Sequence, residues 1–317
     1  MNSGGRPVVS VMEVGGTHVT AASVDIETRG LRFGGAFREA LDGNGSAADI
    51  LSALVRCAAH LPVQSPNRWA VAVPGPFDYE RGIGQYEGVG KFDALRGFDL
   101  RAALTASLPD VADLSFCNDA DAFVLGEWWA GAARGHRTAV GITLGTGVGS
   151  CFLRDGRVLQ HGPGVPSEGR VHTLRYADKP LEETVSRRAL RRAYAAATGE
   201  VPPDVREIAQ RARQGDRAAA DVFAETFGAL GRVLGPPLAA FEPTVLVVGG
   251  SIARAWDLVA EPLRAGLTET DPAHAGSIVI TSAQYPAEAA LLGAAYLATA
   301  PVATALGEPR RGRTRSS

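Results

Sequence analysis

Residues 8–26 read VVSVMEVGGTHVTAASVDI, and their reading decides the fold. An apolar run from Val8 to Val14 meets Gly15-Gly16-Thr17 and is followed at once by a second alternating run, His18 to Ile26. Two such runs joined by a tight Gly turn predict a β-hairpin. The pattern returns at residues 138–154, TAVGITLGTGVGSCFLR, as a strand over Thr138 to Leu144, the turn Gly145-Thr146-Gly147, and a strand over Val148 to Leu153. A third extended segment follows each hairpin: Leu31 to Phe37 in the first half and, after Asp155-Gly156, Arg157 to Gln160 in the second. Each half then acquires helices. This is a weak internal duplication and not a short-period repeat. It predicts an α/β chain of two similar lobes with a ligand cleft between them.

Working outward, helical periodicity covers Ala47 to Leu61 through Ile50, Leu51, Leu54 and Val55. Trp69 to Val73 predicts a short buried strand ending at Pro74-Gly75-Pro76, and Leu114 to Cys117 another, followed by a helix over Ala120 to Ala133. In the second half, helices are expected from Ser186 to Leu238, broken near Gly199 to Pro203. A strand over Val245 to Val248 then runs into Gly249-Gly250, followed by a helix over Ile252 to Leu267, a strand over Ile278 to Thr281 and a last helix over Ala287 to Ala298. The expected lobes are residues 1–118 with about 287–306, and residues 119–286. The polar, basic stretch 307–317 is expected to be a disordered tail.

Composition narrows the classes. The chain has 317 residues, 45% hydrophobic and 21% charged, which suits a globular protein of two domains. A net charge of -2 gives no field drawing it to nucleic acid or an anionic membrane. Only two of the 32 basic residues are lysines, Lys91 and Lys179, a bias that base composition explains. Three dispersed cysteines, Cys57, Cys117 and Cys151, argue against a disulfide scaffold and suit a reducing cytoplasm. The first ten residues lack the pattern of a signal peptide, and no apolar run is long enough to cross a membrane.

Three Gly turns close apolar strands: Gly15-Gly16-Thr17, Gly145-Thr146-Gly147, and Gly249-Gly250-Ser251. Glycine there lets backbone N–H groups approach an anion, and Thr17 and Thr146 add hydroxyl donors. The third turn opens a helix, whose N-terminus attracts phosphate. Any one of the three reads more readily as an ordinary turn; together they favour phosphate. None is a Walker A loop. Asn118-Asp119 falls where a strand meets a helix, and an isolated Asp there is as well explained as a helix cap.

The ordered set resembles the ROK family (repressors, open reading frames and kinases), which includes bacterial glucokinases. It comprises Glu13-x-Gly15-Gly16-Thr17, Val73-Pro74-Gly75-Pro76, Asn118-Asp119-Ala120-x-Ala122, Gly126-Glu127, Leu144 to Gly149, Asp155-Gly156, Gly162, Glu168 and Val248-Gly249-Gly250-Ser251. The match runs from about Val8 to Ala298. The resemblance implies a two-lobed actin-like, ribonuclease-H-like ATPase fold and ATP-dependent phosphorylation of a sugar-like hydroxyl with Mg²⁺. It implies that Gly15, Gly16 and Thr17 form a first phosphate loop and Gly145, Thr146 and Gly147 a second, with Gly249 and Gly250 beside the adenosine. Asn118 would bind the sugar, Asp119 would be the general base, and Glu168 and Glu182 would meet sugar hydroxyls. A homodimer is the family expectation.

The chain departs from the family in three places. Glu13 stands where the family has Asp. The segment Glu168 to Glu182, EGRVHTLRYADKPLE, has no cysteine and only an offset His172, so no structural zinc is expected. His172 reads equally as a substrate contact or a loop histidine. The family's substrate asparagine has no clear counterpart; Gly90 and Lys91 fall near its place, Lys91 reading as a substrate contact or, more readily, a surface lysine. These changes cluster in the acceptor pocket, so the acceptor is open: a hexose, an amino sugar or a cyclitol. The alternative is a non-catalytic sugar-binding regulator. About seven residues precede the first strand, too few for a DNA-binding helix-turn-helix, which makes that reading the weaker. An acetate-kinase-like enzyme or a scaffold of actin topology would not explain Asn118-Asp119.

Overall fold

The computed structural model describes residues 8–299; the tail expected at 307–317, and the part of the first lobe expected beyond residue 299, lie outside these. The first strand, β1 (Val8–Val14), turns Val9 and Val11 to one face and Met12 and Val14 to the other, as the two-residue period of a strand requires. It pairs antiparallel with β2 (His18–Asp25), which pairs antiparallel with β3 (Gly30–Ala40). Helix α1 (Ala47–Ala58) follows, opened by a capping box in which Ser46 Oγ accepts from Asp49 N–H and the Asp49 carboxylate accepts from Ser46 N–H. Next come β4 (Asn67–Val73), a small hairpin of β5 (Phe77–Asp78) and β6 (Ile83–Gly84), α2 (Leu100–Ser107) capped by Asp99, and β7 (Val111–Asn118). The sheet order is β3-β2-β1-β4-β7, with β1, β4 and β7 parallel.

Helix α3 (Asp119–Trp129) leads into the second sheet. There β8 (Thr138–Leu144), β9 (Val148–Arg154) and β10 (Arg157–Leu159) form an antiparallel meander. A second small hairpin, β11 (Arg175–Tyr176) and β12 (Lys179–Pro180), precedes α4 (Glu182–Val185), α5 (Arg187–Thr198), α6 (Val205–Arg213) and α7 (Arg217–Phe241). The chain continues through β13 (Val245–Gly249), α8 (Trp256–Thr270), α9 (Pro272–Ser277), β14 (Val279–Ser282) and α10 (Ala289–Thr299). The order β10-β9-β8-β13-β14, with β13 parallel to both β8 and β14, repeats the first sheet strand for strand. The duplication read in the sequence is therefore one of topology as well as of pattern.

The core has three parts. Met12, Val71 and Val73 pack one face of the first sheet under α1 and α2. Leu246, Val248 and Ile142 pack the outer face of the second sheet under α5 to α8. Between the sheets lie α3 and α10, met by the small side chains Ala70, Ala72 and Ala139. These two helices touch backbone to backbone: a Cβ at Gly293 would lie 1.8 Å from the Ala122 carbonyl oxygen, and one at Gly126 would lie 1.9 Å from that of Ala289. Glycine at both crossings is a steric requirement. The C-terminal end of α3 is joined to the segment leading into α10 through Glu127, fully buried, whose carboxylate accepts from the N–H groups of Ala132, Gln284 and Tyr285 at 2.8, 3.0 and 2.7 Å.

Several elements differ from the sequence reading. The third Gly turn runs into a single 3-10 turn, Ile252–Ala255, and the helix proper begins at Trp256. Helices α2 and α9 and both small hairpins were not expected.

Candidate active site

The parallel strands of both sheets end at one edge, the usual place for ligands in open α/β sheets. A cavity of about 840 Å³ lies there. Its lining holds Asn118 and Asp119 from the end of β7, and Gly145, Thr146 and Gly147 from the β8–β9 turn. Glu168, His172, Glu182 and Gly250 also line it.

Asn118 is the N-cap of α3, its Oδ1 accepting from Ala120 N–H at 3.1 Å and Asp121 N–H at 3.3 Å. Its Nδ2 donates to Tyr79 Oη at 3.0 Å, and Tyr79 Oη donates to the Val73 carbonyl at 3.2 Å. From the second lobe, Arg170 Nη1 donates to Asn118 Oδ1 at 3.0 Å, Asp121 Oδ1 at 3.3 Å and the Ser150 carbonyl at 3.2 Å. Asn118 is thus fixed from three sides. Asp119 stands at the first helical position, half-buried, with Oδ1 accepting from Ala120 N–H at 2.9 Å. The expected cap and the expected base are therefore two adjacent residues: Asn118 does the capping, which leaves the Asp119 side chain on the cavity.

Carboxylates crowd this edge. Burial, and then the nearby Asp119 charge, push Glu13 up to about 7, with Arg38 opposing. Burial raises Asp119 as well, against the Ala120 N–H bond and the charges of Lys91 and Arg170. Burial raises Asp121 to about 6, with Arg170 pulling it down.

The first Gly turn flanks this lining without forming part of it. Gly15 N–H donates to the His18 carbonyl at 2.8 Å, Gly16 O accepts from Gly43 N–H at 3.0 Å, and Thr17 Oγ1 lies 3.1 Å from His18 Nδ1. Glu13 is tied to the site through its electrostatic contact with Asp119. The second and third turns pack on each other. Gly250 has a φ of 86°, and a Cβ there would lie 2.3 Å from the Leu144 carbonyl oxygen. Gly249 sits behind it against Phe123.

Glu182, expected on acceptor hydroxyls, has its carboxylate on the second turn: Oε2 accepts from Val148 N–H at 3.1 Å, and a Cβ at Gly147 would lie 2.8 Å from it. Gly90 is exposed with a φ of 77°, and it is its neighbours Val89 and Lys91 that line the cavity. Glu168 is exposed at a φ of 54°. Sequence reasoning missed Tyr79 and Arg170. Tyr79 follows the Pro-Gly-Pro turn and had that as its only cue; Arg170 had none among so many arginines.

Where the chain lacks the cysteine cluster, the β11–β12 hairpin turns at Ala177 and Asp178, with φ of 44° and 62°. It is clasped to α7 by Arg232, which donates to Tyr176 Oη at 3.1 Å and pairs with Glu269 at 3.1 Å. Among the described residues no group of three or more His, Cys, Asp or Glu could hold a metal ion. Likewise, no helix among them is long and apolar enough to cross a membrane.

A family model described as the ROK family matches residues 9–300. The glucokinase of Thermotoga maritima is 32% identical over 203 residues, covering 57% of this chain and 64% of that one. The DNA-binding transcriptional repressor Mlc of Escherichia coli is 22% identical over 251 residues, covering 72% of this chain and 59% of that one. In both alignments the chain spans less than two thirds of the relative's length. Among solved structures, a ROK family glucokinase from Streptomyces griseus in complex with glucose and AMPPNP superposes with a TM-score of 0.73 at 25% identity. That superposition covers 92% of this chain and 99% of that one. The architecture is the two-lobed actin-like ATPase fold.

Proposed function

The chain belongs to the ROK family, and we propose that it is an ATP-dependent kinase acting on a hydroxyl of a hexose, an amino sugar or a sugar-like cyclitol, at position 6 or the equivalent exocyclic carbinol. The observation that carries this reading is the Asp119 carboxylate at the head of α3, lining the same cavity as the Gly145–Gly147 turn, with Asn118 held beside it. In this reading Asn118 binds the acceptor and Asp119 takes the hydroxyl proton as oxygen attacks the γ-phosphoryl. The first two Gly turns hold phosphate, and Gly249 and Gly250 border the adenosine. Glu168 and His172 face the acceptor. Glu182 supports the phosphate turn from behind, so its role is positional. In this reading the lobes divide after residue 118 and again near residue 287, which the packing of α10 on β1 and β4 of the first sheet supports.

The donor set fits Mg²⁺. The Asp119 charge disfavours that of Glu13, which a divalent cation held mainly by phosphates would relieve. Bound there, the ion would neutralise charge on the phosphoryl oxygens.

The acidic lining alone would favour a cationic acceptor. Lys91 and Arg170 lie in the same lining and offset it, so charge does not select an amino sugar over a neutral one. Glu13 and the similarity to a repressor favour a second reading, a sugar-binding regulator without catalysis.

Incubation with Mg-ATP and a panel of hexoses, amino sugars and cyclitols separates the two, with ADP release as the readout. Acceptor-dependent turnover is expected, and Asp119→Asn should lower kcat by about 10²–10⁴ while nucleotide binding is kept. Turnover no higher than with ATP alone, across the panel, would reject the kinase reading.

A further inference from the structure

Lys91 was read as more readily a surface lysine, and its surroundings say otherwise. The residue after it, Phe92, is fully buried, packs on Tyr86 at 5.4 Å between ring centroids, and has a φ of 62°. Bulky side chains rarely adopt that conformation, so the surroundings hold it there. Phe92 N–H donates to the Gly43 carbonyl at 2.5 Å, and Gly43 N–H donates to the Gly16 carbonyl at 3.0 Å. Two backbone bonds thus pin the Lys91 loop to the first Gly turn. The Lys91 stem runs along that turn: a Cβ at Gly16 would lie 3.4 Å from Lys91 Cδ. The side chain lines the cavity, and its charge acts on Asp119 more strongly than that of Arg170. Among the described residues its ammonium group makes no hydrogen bond or ion pair.

Residue type adds a second argument. The chain uses arginine almost everywhere a cation is placed, and Lys91 is one of two exceptions. An ammonium is a compact point charge with three rotatable donors, whereas a guanidinium is a rigid planar fork. A phosphoryl group moving between two oxygens suits the former.

Resting on the kinase reading above, we propose that Lys91 is a catalytic residue whose ammonium group contacts the phosphoryl group in transfer, between the first Gly turn and Asp119. As the acceptor oxygen bonds to phosphorus, its proton passes to Asp119, and the bond from phosphorus to the bridging oxygen of ADP breaks with its electron pair on ADP. The Lys91 ammonium group takes no part in that proton transfer and neutralises charge on the equatorial oxygens.

The test uses Lys91→Met and Lys91→Arg in the full chain, with the thermal midpoint checked against wild type. Lys91→Met should lower kcat by about 10²–10³, the loss typical of a removed transition-state donor, with the acceptor KM changing less than about threefold and Lys91→Arg falling between. At equilibrium, the wild-type preference for AMPPNP over ADP should shrink about tenfold or more in Lys91→Met. A kcat within threefold of wild type, a loss lying wholly in acceptor KM, or an unchanged triphosphate preference would each overturn the proposal. If wild type turns over no acceptor, the kinase reading fails, and the nucleotide preference alone decides Lys91.

Discussion

Replacing Arg170 with Met tests how the two lobes are joined at the site. One nitrogen, Nη1, serves Asn118, Asp121 and the Ser150 carbonyl. The Arg170 and Asp121 side chains are only 19% and 14% exposed. Removing one partner of a buried pair costs about 3–5 kcal/mol because the other charge is stranded; the residual exposure here brings the expectation to about 2–4 kcal/mol. The pH dependence identifies the stranded group. Burial already holds Asp121 up at about 6 in the folded chain, above its unfolded value, despite Arg170. Between those two values the native state binds the extra proton, so ionising Asp121 on raising the pH costs stability. Without Arg170 the folded value climbs further. The deficit of Arg170→Met should therefore be smaller at pH 5, where Asp121 keeps its proton, than at pH 8, by about 1–2 kcal/mol. Adding Asp121→Asn should recover most of it at pH 8. Melting midpoints of wild type, Arg170→Met, Asp121→Asn and the double variant at both pH values measure this. An equal deficit at pH 5 and pH 8, together with no recovery by Asp121→Asn, would assign the loss to packing of the Arg170 stem and refute the charge argument.

Glu13 sits at about 7, raised by burial and then by Asp119. If its anion is needed, wild-type kcat/KM should rise as pH passes through about 7, and Glu13→Gln should lose that limb in a profile from pH 5.5 to 9. Gly293→Ala drives a methyl group into the Ala122 carbonyl, 1.8 Å from the ideal Cβ position. It should cost about 1–3 kcal/mol through overpacking, read as a lower melting midpoint; an unchanged midpoint would mean that α3 and α10 separate freely.

The hairpins at residues 8–26 and 138–154 were legible because a two-residue period and a Gly turn are local signals. Helix α2 was not, since only Leu100 and Leu104 anchor it and Asp99 is its one start signal. The β11–β12 hairpin turns on Ala177 and Asp178, residues with little turn signature. Asp119 was legible through position and order. Arg170 was not, because its meaning comes from Asn118, 52 residues away. The tie of the Lys91 loop to Gly16 was not legible, because it runs through Gly43, a backbone route that no pattern of side chains reports. Glu182 was found, but its side of the cavity depends on its bond to Val148 N–H.

The duplicated topology explains why a site forms at this edge, and the differences between the copies explain which way it would work. Equivalent strands end in equivalent places: β1 and β8 at Gly turns, β4 at Pro74-Gly75 and β13 at Gly249-Gly250, β7 at Asn118 and β14 at Ser282. Shape is thus laid down twice, while the carboxylate is laid down once. After β7 the chain has Asp119 on a capped helix; after β14 it has Ala283, Gln284 and Tyr285, and the N–H groups of the last two are taken by Glu127. A carboxylate on one side only gives the cavity a direction; in the proposed kinase reading, proton abstraction would fall at the head of α3 with the paired Gly turns opposite. Because Glu127 and the Gly126 and Gly293 crossings lock α3 to α10, any relative movement of the sheets must carry that base with it. Lys91 and Arg170 reach it from opposite lobes, so their charges act on Asp119 from both sides at once.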